Sequence, residues 1–319
     1  MNSLENNTEN LPMTKTKKKI KWKRYLPLYL MMLPGAAYLV INNYIPMGGL
    51  ILAFKRFNYS LGIMESPWAG LGNFTYLFTG KDAFLMMRNT LSYNFVFIVL
   101  GTILAITVAI LLNEVGNMKA RKTYQTLILV PYLISIVIVS YIVYAFLSQD
   151  SGFVNNTLLK GMGKKSISWY TSPQYWPFIL CLVYLWKSFG YHSIIYYATI
   201  IGIDSSYYEA ATVDGATKWK QVWYITLPSL KPTIITLTLL SIGRIFYSDF
   251  GLFYQVPMNS GPLLNATSTI DTYVYRALLT LNDVGRSSAA GFLQSILGFI
   301  VVFSANLLVN KINKENALF

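Results

Sequence analysis

The sequence predicts an all-α polytopic membrane protein with six transmembrane helices. Hydrophobic residues make up 54% of the 319 residues and charged residues only 12%, with a mean hydropathy of +0.43. Soluble domains carry about twice this charged fraction. Because lipid offers the backbone no hydrogen-bonding partners, spanning segments are helices rather than open strands. Five long runs contain no Asp, Glu, Lys or Arg, namely 25–54, 89–113, 123–149, 166–186 and 287–310.

Each of these runs can cross ~30 Å of hydrocarbon as a helix of about 20 residues. A further apolar run, 229–253, is interrupted only by Arg244 and Asp249. Pro34 and Pro46 should kink or interrupt the first run, because proline removes a helical hydrogen bond. The predicted spans are 27–53, 90–113, 124–148, 176–200, 229–251 and 287–309.

The basic residues predict the orientation. Fifteen lie in the two tails, in segments 115–123 and 201–228 and at Lys231, against nine in the opposite loops. The excess of Lys and Arg marks the cytoplasmic side, so both termini are expected there. Residues 1–16 are polar and expected to be disordered. Much of the net charge of +13 lies in the N-terminal tail, which favours contact with anionic lipid over nucleic acid.

The most informative segment is the polar stretch between the fourth and fifth predicted spans. By residue type, Asp204 or Ser205 should cap a short helix there, with Glu209 in its first turn. A proline pushes the preceding residue out of the helical region, so Leu227-Pro228 should end the segment. The frame is Glu209-Ala210-Ala211, three residues, Gly215, nine residues, Ile225, one residue, and Leu227-Pro228.

Gly215 has two possible roles in this segment. On a continuous helix it would let another backbone come close, whereas at a helix break it would allow a positive φ. Either way, we expect a small rigid helix held between two spans. Such a helix would pass the motion of a partner to the spans as a body rather than bend.

Ionisable side chains in spans four and five are candidates for a substrate pathway, because such groups in lipid are costly, and aromatic residues in and just after span five accompany them. On one helix, Arg244 and Asp249 would point roughly 140° apart and not pair. Lys187 has an alternative role, snorkelling or binding a carbonyl, and His192 an alternative role as a hydrogen-bonded packing residue. The candidates are Lys187, Arg244, Tyr247, Asp249, Phe250 and Tyr254.

The sequence does not predict an enzyme. It contains no GxxxxGK[ST] phosphate-binding loop, and the run Gly161-Met-Gly-Lys-Lys-Ser has the wrong spacing. A single histidine supports no hydrolase triad, and no Cys/His cluster indicates a metal site. We therefore expect no catalytic residue, no metal and no cofactor bound by this chain.

The segment around Glu209 resembles the EAA loop of maltose-type (type I) ABC importer permeases. Its flanks are similar to the carbohydrate branch and to the LplB-like subgroup, which is linked to polysaccharide-derived oligosaccharides. Val222 departs from the pattern, because relatives often have Phe there. The flanking runs are Trp186-Lys-Ser-Phe-Gly190-Tyr191, Ile203-Asp-Ser-Ser-Tyr207-Tyr208, Asp249-Phe-Gly-Leu-Phe-Tyr254, Asp271-Thr-Tyr-Val-Tyr-Arg276 and Glu315-Asn-Ala-Leu-Phe319.

The resemblance implies a multi-pass subunit of the bacterial plasma membrane with a MetI-like core. It implies a second permease, two copies of a cytoplasmic ABC ATPase that uses ATP and Mg, and an extracytoplasmic solute-binding protein that delivers an oligosaccharide. The ATPase-docking residues carried over are Glu209, Ala210, Ala211, Asp214, Gly215 and Ala216. The expected regions are a basic tail at 1–24, a first helix and external loop at 25–88, a five-helix core at 89–310 with a coupling loop at 202–228, and a tail at 311–319.

Three alternatives stay open at this point. The same architecture could import a different solute, such as a polyamine or an amino acid. An ion-driven secondary transporter would need no ATPase. A membrane enzyme of polysaccharide synthesis would need a cluster of catalytic carboxylates, which the sequence does not contain.

Overall fold

The computed structural model describes residues 22–312, with side chains from Tyr25 to Lys311. The expected disorder of residues 1–16 and most of both predicted tails fall outside these residues. Across the described range, the regular elements are helices, accompanied by two isolated β-bridges. The protein divides along its sequence into two compact units, with the boundary between Gly49 and Leu50.

The first unit is helical throughout its described part. It contains α1 (Trp22–Leu39), a π-helical turn (Val40–Tyr44) and α2 (Ile45–Met47). Pro34 lies inside α1 without ending it, whereas the helix widens just before Pro46. The residues from 25 to 47 are all exposed in the isolated chain, as expected for a span whose sides face lipid or another subunit.

The second unit holds the remaining helices. A 3₁₀ run (Gly48–Phe54) spans the boundary, and the segment before the long helices contains α3 (Gly62–Glu65), a 3₁₀ turn (Gly72–Phe74) and α4 (Thr75–Thr79). The long helices and their connections are α5 (Lys81–Glu114), α6 (Met118–Leu133), α7 (Ile136–Leu147), a π turn (Val154–Leu159), 3₁₀ turns (Trp169–Thr171 and Pro173–Tyr175), α8 (Trp176–Ile200), α9 (Ser205–Val213), α10 (Lys218–Gln221), a π turn (Val222–Thr226), α11 (Leu227–Gly243), α12 (Phe250–Gln255), a 3₁₀ turn (Gly261–Leu263), α13 (Leu264–Thr267), α14 (Ile270–Leu279) and α15 (Val284–Ile312).

Five described helices are long and apolar enough to cross a membrane, and a bent pair makes a sixth. The five are Tyr25–Phe54, Lys81–Glu114, Pro173–Ile200, Lys218–Gly243 and Val284–Lys311. This agrees with the predicted six-span, all-α class. The 34 residues of α5 extend for about 51 Å, well beyond the hydrocarbon thickness.

The third predicted span is broken. α6 and α7 meet at an angle of 91° around Ile134 and Ser135, whose backbones are extended. Pro131 lies in the last turn of α6, where the absent amide hydrogen and the ring weaken helix continuation. The predicted span 124–148 is therefore formed by two helices joined at a sharp bend rather than by one helix.

The fifth predicted span was wrong at both ends. Leu227 stays helical (φ −64°, ψ −42°), so the segment does not end at Leu227-Pro228. The π turn before it widens the helix and makes room for the proline ring, so α10 continues into α11. At the other end, α11 stops at Gly243 and α12 begins at Phe250, so 229–251 is not one helix.

The core of the second unit is built on the contact of α5 with α8. The rings of Phe97 and Tyr184 stack with their centroids 3.8 Å apart. Further along α5, Ala105 and Ala109 are fully buried, so this small-residue face of the helix serves packing. This pair of helices forms the scaffold for both candidate sites described below.

α6 crosses α8 at Gly190. A Cβ atom at this position would overlap the carbonyl oxygen of Ile128 and come within 3.3 Å of the amide nitrogen of Leu129. The two backbones approach this closely because Gly190 has no side chain. The crossing fixes the position of α6 just before the break.

Candidate functional site

The segment around Glu209 begins with a capped helix. The Oδ1 atom of Asp204 accepts a hydrogen bond from the amide of Ser206 at 2.9 Å, so Asp204 rather than Ser205 caps α9. This hydrogen bond lowers the pKa of the Asp204 carboxyl below its ordinary value. Glu209 lies one turn further along, so its expected place in the first turn was wrong.

The end of α9 explains the spacing of the motif. The amide of Ala216 donates to Ala211 O at 2.8 Å, and the amide of Gly215 donates to Thr212 O at 3.0 Å. These two bonds form a Schellman cap, which requires a left-handed residue, and Gly215 has φ +75°. Of its two proposed roles, Gly215 therefore has the one at a helix break. Asp214 is the C-cap residue of α9.

Two hydrogen bonds tie α9 to the start of the fifth span. The side chain of Gln221 donates to the Thr212 hydroxyl at 2.9 Å, and the hydroxyls of Tyr208 and Thr226 lie 3.0 Å apart. Gln221 and Thr226 are buried, so water competes little for these bonds. Because α10 continues into α11, the whole coupling segment (Ser205–Thr226) is joined to that span.

An open cleft of about 480 Å³ lies beside the coupling segment. Lys218 and Glu114 form a salt bridge of 3.3 Å there, which joins α10 to the end of α5. Both side chains are largely exposed, so the pair contributes little to stability. The lining residues are Asn113, Glu114, Ser205, Tyr208, Glu209, Thr212, Lys218 and Gln221.

The coupling segment also exposes large apolar side chains that the sequence reasoning missed. Trp219 is 74% exposed and Tyr224 79% exposed, with Trp223 and Val213 also on the surface. Contiguous exposed apolar side chains commonly mark a surface that another protein or the membrane covers. The signal was present in the run Trp-Lys-Gln-Val-Trp-Tyr, which combines aromatic residues with a polar segment.

A cavity of about 650 Å³ lies between the middle parts of α5 and α8 and the two helix breaks. Five of the six candidate pathway residues line it, and Tyr254 does not. Irregular backbone at membrane depth is tolerated where it lines a cavity, and both breaks do so here. The five are Lys187, Arg244, Tyr247, Asp249 and Phe250.

Lys187 binds the broken end of α6. Its ammonium group donates to Pro131 O at 3.3 Å, to Tyr132 O at 3.0 Å and to Ile134 O. Pro131 O also accepts from the amide of Ile134 at 3.3 Å, and the carbonyls of Tyr132 and Ile134 lie where the helix stops and its ladder of hydrogen bonds ends. Lys187 was a candidate either for the substrate pathway or for binding a carbonyl, and its hydrogen bonds in the structure are to carbonyls. His192 likewise donates from Nδ1 to Ser188 O at 3.1 Å.

Arg244 and Asp249 flank the end of the fifth span rather than share one helix. The Oδ1 atom of Asp249 accepts from the amide of Leu252 at 3.0 Å and caps α12. The salt bridges within residues 25–311 join other residues, so Arg244 and Asp249 do not pair. They were expected not to pair, but the argument from a common helix was wrong because Arg244 already lies beyond α11.

The turn between α11 and α12 is held by Asp271, whose importance the sequence reasoning did not identify. The Ser248 amide and hydroxyl donate to Asp271 Oδ2 at 2.7 and 2.8 Å. Gln294 donates to Phe246 O at 2.7 Å and to both oxygens of Asp271 at 3.2 Å. The signal in the sequence is the run Asp271-Thr-Tyr-Val-Tyr-Arg276, which resembles the LplB-like subgroup.

Tyr254 belongs to an aromatic cluster behind the cavity. Its ring stacks on Phe250 with centroids 4.9 Å apart, and Tyr275 lies 4.7 Å from Phe250 and 5.0 Å from Tyr254. The two runs that begin at Asp249 and Asp271 are therefore packed together. Their common structural role is to hold α12 beside the cavity.

Two curated relatives match nearly the whole chain. The polygalacturonan/rhamnogalacturonan transport system permease YteP of Bacillus subtilis is 36% identical over 293 residues, covering 90% of this chain and 89% of that protein. LplB of Bacillus subtilis is 33% identical over 309 residues, covering 95% of this chain and 96% of that protein. The resemblance to the LplB-like subgroup is thus confirmed.

A solved structure has the same fold. A chain of a bacterial ABC transporter involved in the import of the acidic polysaccharide alginate matches with a TM-score of 0.84 and 33% identity, over 92% of this chain and 98% of that chain. A second structure, of a bacterial alginate ABC transporter in complex with an alginate pentasaccharide-bound periplasmic protein, matches with a TM-score of 0.83. The family model described as binding-protein-dependent transport system inner membrane component matches residues 97–314. The chain belongs to this family of membrane transport permeases.

Proposed function

We propose that this chain is a permease subunit of an ATP-driven ABC importer, and that it translocates an oligosaccharide which a solute-binding protein delivers from outside. ATP hydrolysis would take place in two copies of a separate cytoplasmic ATPase. A second permease would complete the pathway. The relatives named for polygalacturonan, rhamnogalacturonan and alginate transport support the sugar as substrate.

The coupling segment is the observation that carries this proposal. It is capped at Asp204, closed at Gly215 and bonded to the fifth span, while Glu209 and Ala210 stay exposed. A partner that binds this surface can therefore move α11 without first deforming the segment. An ATPase that closes beneath it would change the access of the cavity through the helix breaks.

The cavity supports a sugar more than an apolar solute. The rings of Tyr132 and Tyr191 stack with centroids 4.7 Å apart, and Tyr191 belongs to the lining together with Ser188, Ser241 and Asn94. Sugars offer C–H faces to aromatic rings and hydroxyls to polar side chains. A polyamine or an amino acid importer of the same architecture is the competing interpretation, and transport assays with a panel of solutes separate the two.

Charge reversal in the coupling segment tests the proposal. In the complete importer, Glu209→Lys should lower copurification of the ATPase and solute uptake by about tenfold or more, because opposed like charges at an interface are costly. The matched control is Glu65→Lys, an exposed glutamate in the predicted external loop, which should leave both unchanged. Normal uptake by Glu209→Lys, with no ATPase in the purified complex, would support an ion-driven transporter and contradict the proposal.

A further inference from the structure

One cation of the cavity lining, the guanidinium of Arg244, has no salt-bridge partner within the described part of the chain. We propose that Arg244 binds a carboxylate of the transported sugar, so that this permease serves an importer of oligosaccharides that contain uronic acids. The inference rests on the proposed function and specifies its substrate class.

The other charged groups near the cavity already have partners. Lys187 donates to three carbonyls at the end of α6. Asp249 caps α12 through Leu252, and Asp271 accepts from Ser248 and Gln294. Among residues 25–311, the salt bridges are Lys218–Glu114 and Arg286–Asp283, so no carboxylate there lies within salt-bridge distance of Arg244.

Arg244 is exposed toward the open cavity rather than buried in protein, and a cation at membrane depth without a salt-bridge partner is costly, which favours a functional role for it. Arg244 follows the last residue of α11, and the negative end of that helix offsets part of its charge. The remaining donors form a flat fork that fits a carboxylate with two parallel hydrogen bonds. The ionised side chains of the lining, Lys187, Arg244 and Asp249, leave one net positive charge in the cavity.

The neighbours of Arg244 fit the rest of a sugar acid. Tyr247 and Phe250 belong to the same lining, where Phe250 also stacks on Tyr254, and the hydroxyls of Tyr247 and Ser295 lie 3.1 Å apart. The cavity of about 650 Å³ lies within the range of small-ligand sites. A uronic acid residue therefore finds a cation for its carboxylate and aromatic surface for its ring in one place.

Uptake by the complete importer in proteoliposomes, with its solute-binding protein, tests the inference. The substrates are trisaccharides of galacturonic, glucuronic, mannuronic and guluronic acid, their methyl esters, and neutral trisaccharides. Arg244→Gln should lower uptake of the acidic substrate about tenfold or more, and Arg244→Lys should lower it less, because a charged hydrogen bond is lost only in the first variant. Taking the ratio of variant to wild type for each substrate cancels the selectivity of the binding protein.

Three controls separate a specific role from a structural one. Arg286→Gln removes an exposed arginine of the predicted outer segment and should change no uptake. Methyl esters or neutral sugars that the wild type imports should change less than about twofold in Arg244→Gln. The unfolding temperature of Arg244→Gln should stay at the wild-type value.

The contrary results are distinct. Import of neutral sugars alone by the wild type overturns the inference and leaves the proposed function standing. Equal losses for acidic and neutral substrates, or unchanged uptake of the acidic substrate, assign Arg244 to structure or to a partner subunit and also overturn it. A wild-type importer that takes up no sugar of the panel contradicts the proposed function, and the inference with it.

Discussion

Gly190 and Gly101 lie on α-helices of the same core but meet different surroundings. A Cβ at Gly190 would overlap Ile128 O, whereas a Cβ at Gly101 would meet only Leu185 Cδ2 at 4.0 Å. The first contact involves backbone and cannot be relieved by a rotamer change, while the second is an ordinary van der Waals contact. The two glycines therefore form a matched pair for testing the crossing of α6 and α8.

We expect Gly190→Ala to destabilise the protein and Gly101→Ala to leave it nearly unchanged. Overpacking costs about 1–3 kcal/mol, and a clash with backbone lies at or above the upper end. Thermal unfolding of the detergent-purified protein measures the difference. Equal unfolding temperatures for the two variants would show that α6 does not cross α8 at Gly190.

Side chains in the two spans were partly predictable from sequence. The ionisable groups of spans four and five were candidates for a substrate pathway because charge inside lipid is rare and costly. Lys187, Arg244 and Asp249 line the cavity, and their part in transport stays a prediction. The partners of Lys187 were not predictable, since its carbonyl acceptors belong to a helix end more than fifty residues away in sequence. Asp271 was not predicted either, because its partner Ser248 lies in the turn between α11 and α12, which the sequence did not reveal.

At the level of helices, the breaks were the main differences from expectation. The sequence showed long charge-free runs, and such runs satisfy the length of a span whether or not the helix bends inside it. At the break around Ile134, Lys187 from α8 donates to the carbonyls at the end of α6, which stabilises the broken end. The turn that follows the end of α11 at Gly243 is likewise held by Asp271, through Ser248, and by Gln294, through Phe246. These are tertiary contacts, which local patterns do not encode.

The Schellman cap at the end of α9 gives a prediction for the coupling segment. Gly215→Val places a β-branched residue at φ +75°, which costs about 1–2 kcal/mol and shifts the cap toward an open form. Substrate-stimulated ATP hydrolysis by the complete importer should fall about fivefold to thirtyfold. Gly215→Asn is the control, because asparagine tolerates the left-handed region, and it should retain most of the activity. Equal activity of the two variants would contradict a rigid coupling segment.

In the second unit as a whole, the coupling segment, the fifth span and the cavity form one connected structure. α9 is bonded to the α10–α11 run, α11 ends at the cavity, and α12 begins on its other side. The family could be predicted from sequence because the spacing of Glu209, Ala211 and Gly215 is that of a short helix and its C-terminal cap. The charge of the cavity could not be predicted, since the lining combines residues of six helices with the turn between α11 and α12.

The central claim is that the coupling segment docks a separate ATPase, and site-specific crosslinking tests it most directly. In the double variant Cys181→Ser, Ala210→Cys, position 210 carries the only cysteine of the chain. This position is exposed on α9. Leu281→Cys, on the predicted outer side, is the matched control. In purified importer that still transports, a benzophenone maleimide at position 210 should crosslink to the ATPase, and the same label at 281 should not. An ATPase adduct from position 281, or an active complex with none from position 210, would contradict the claim.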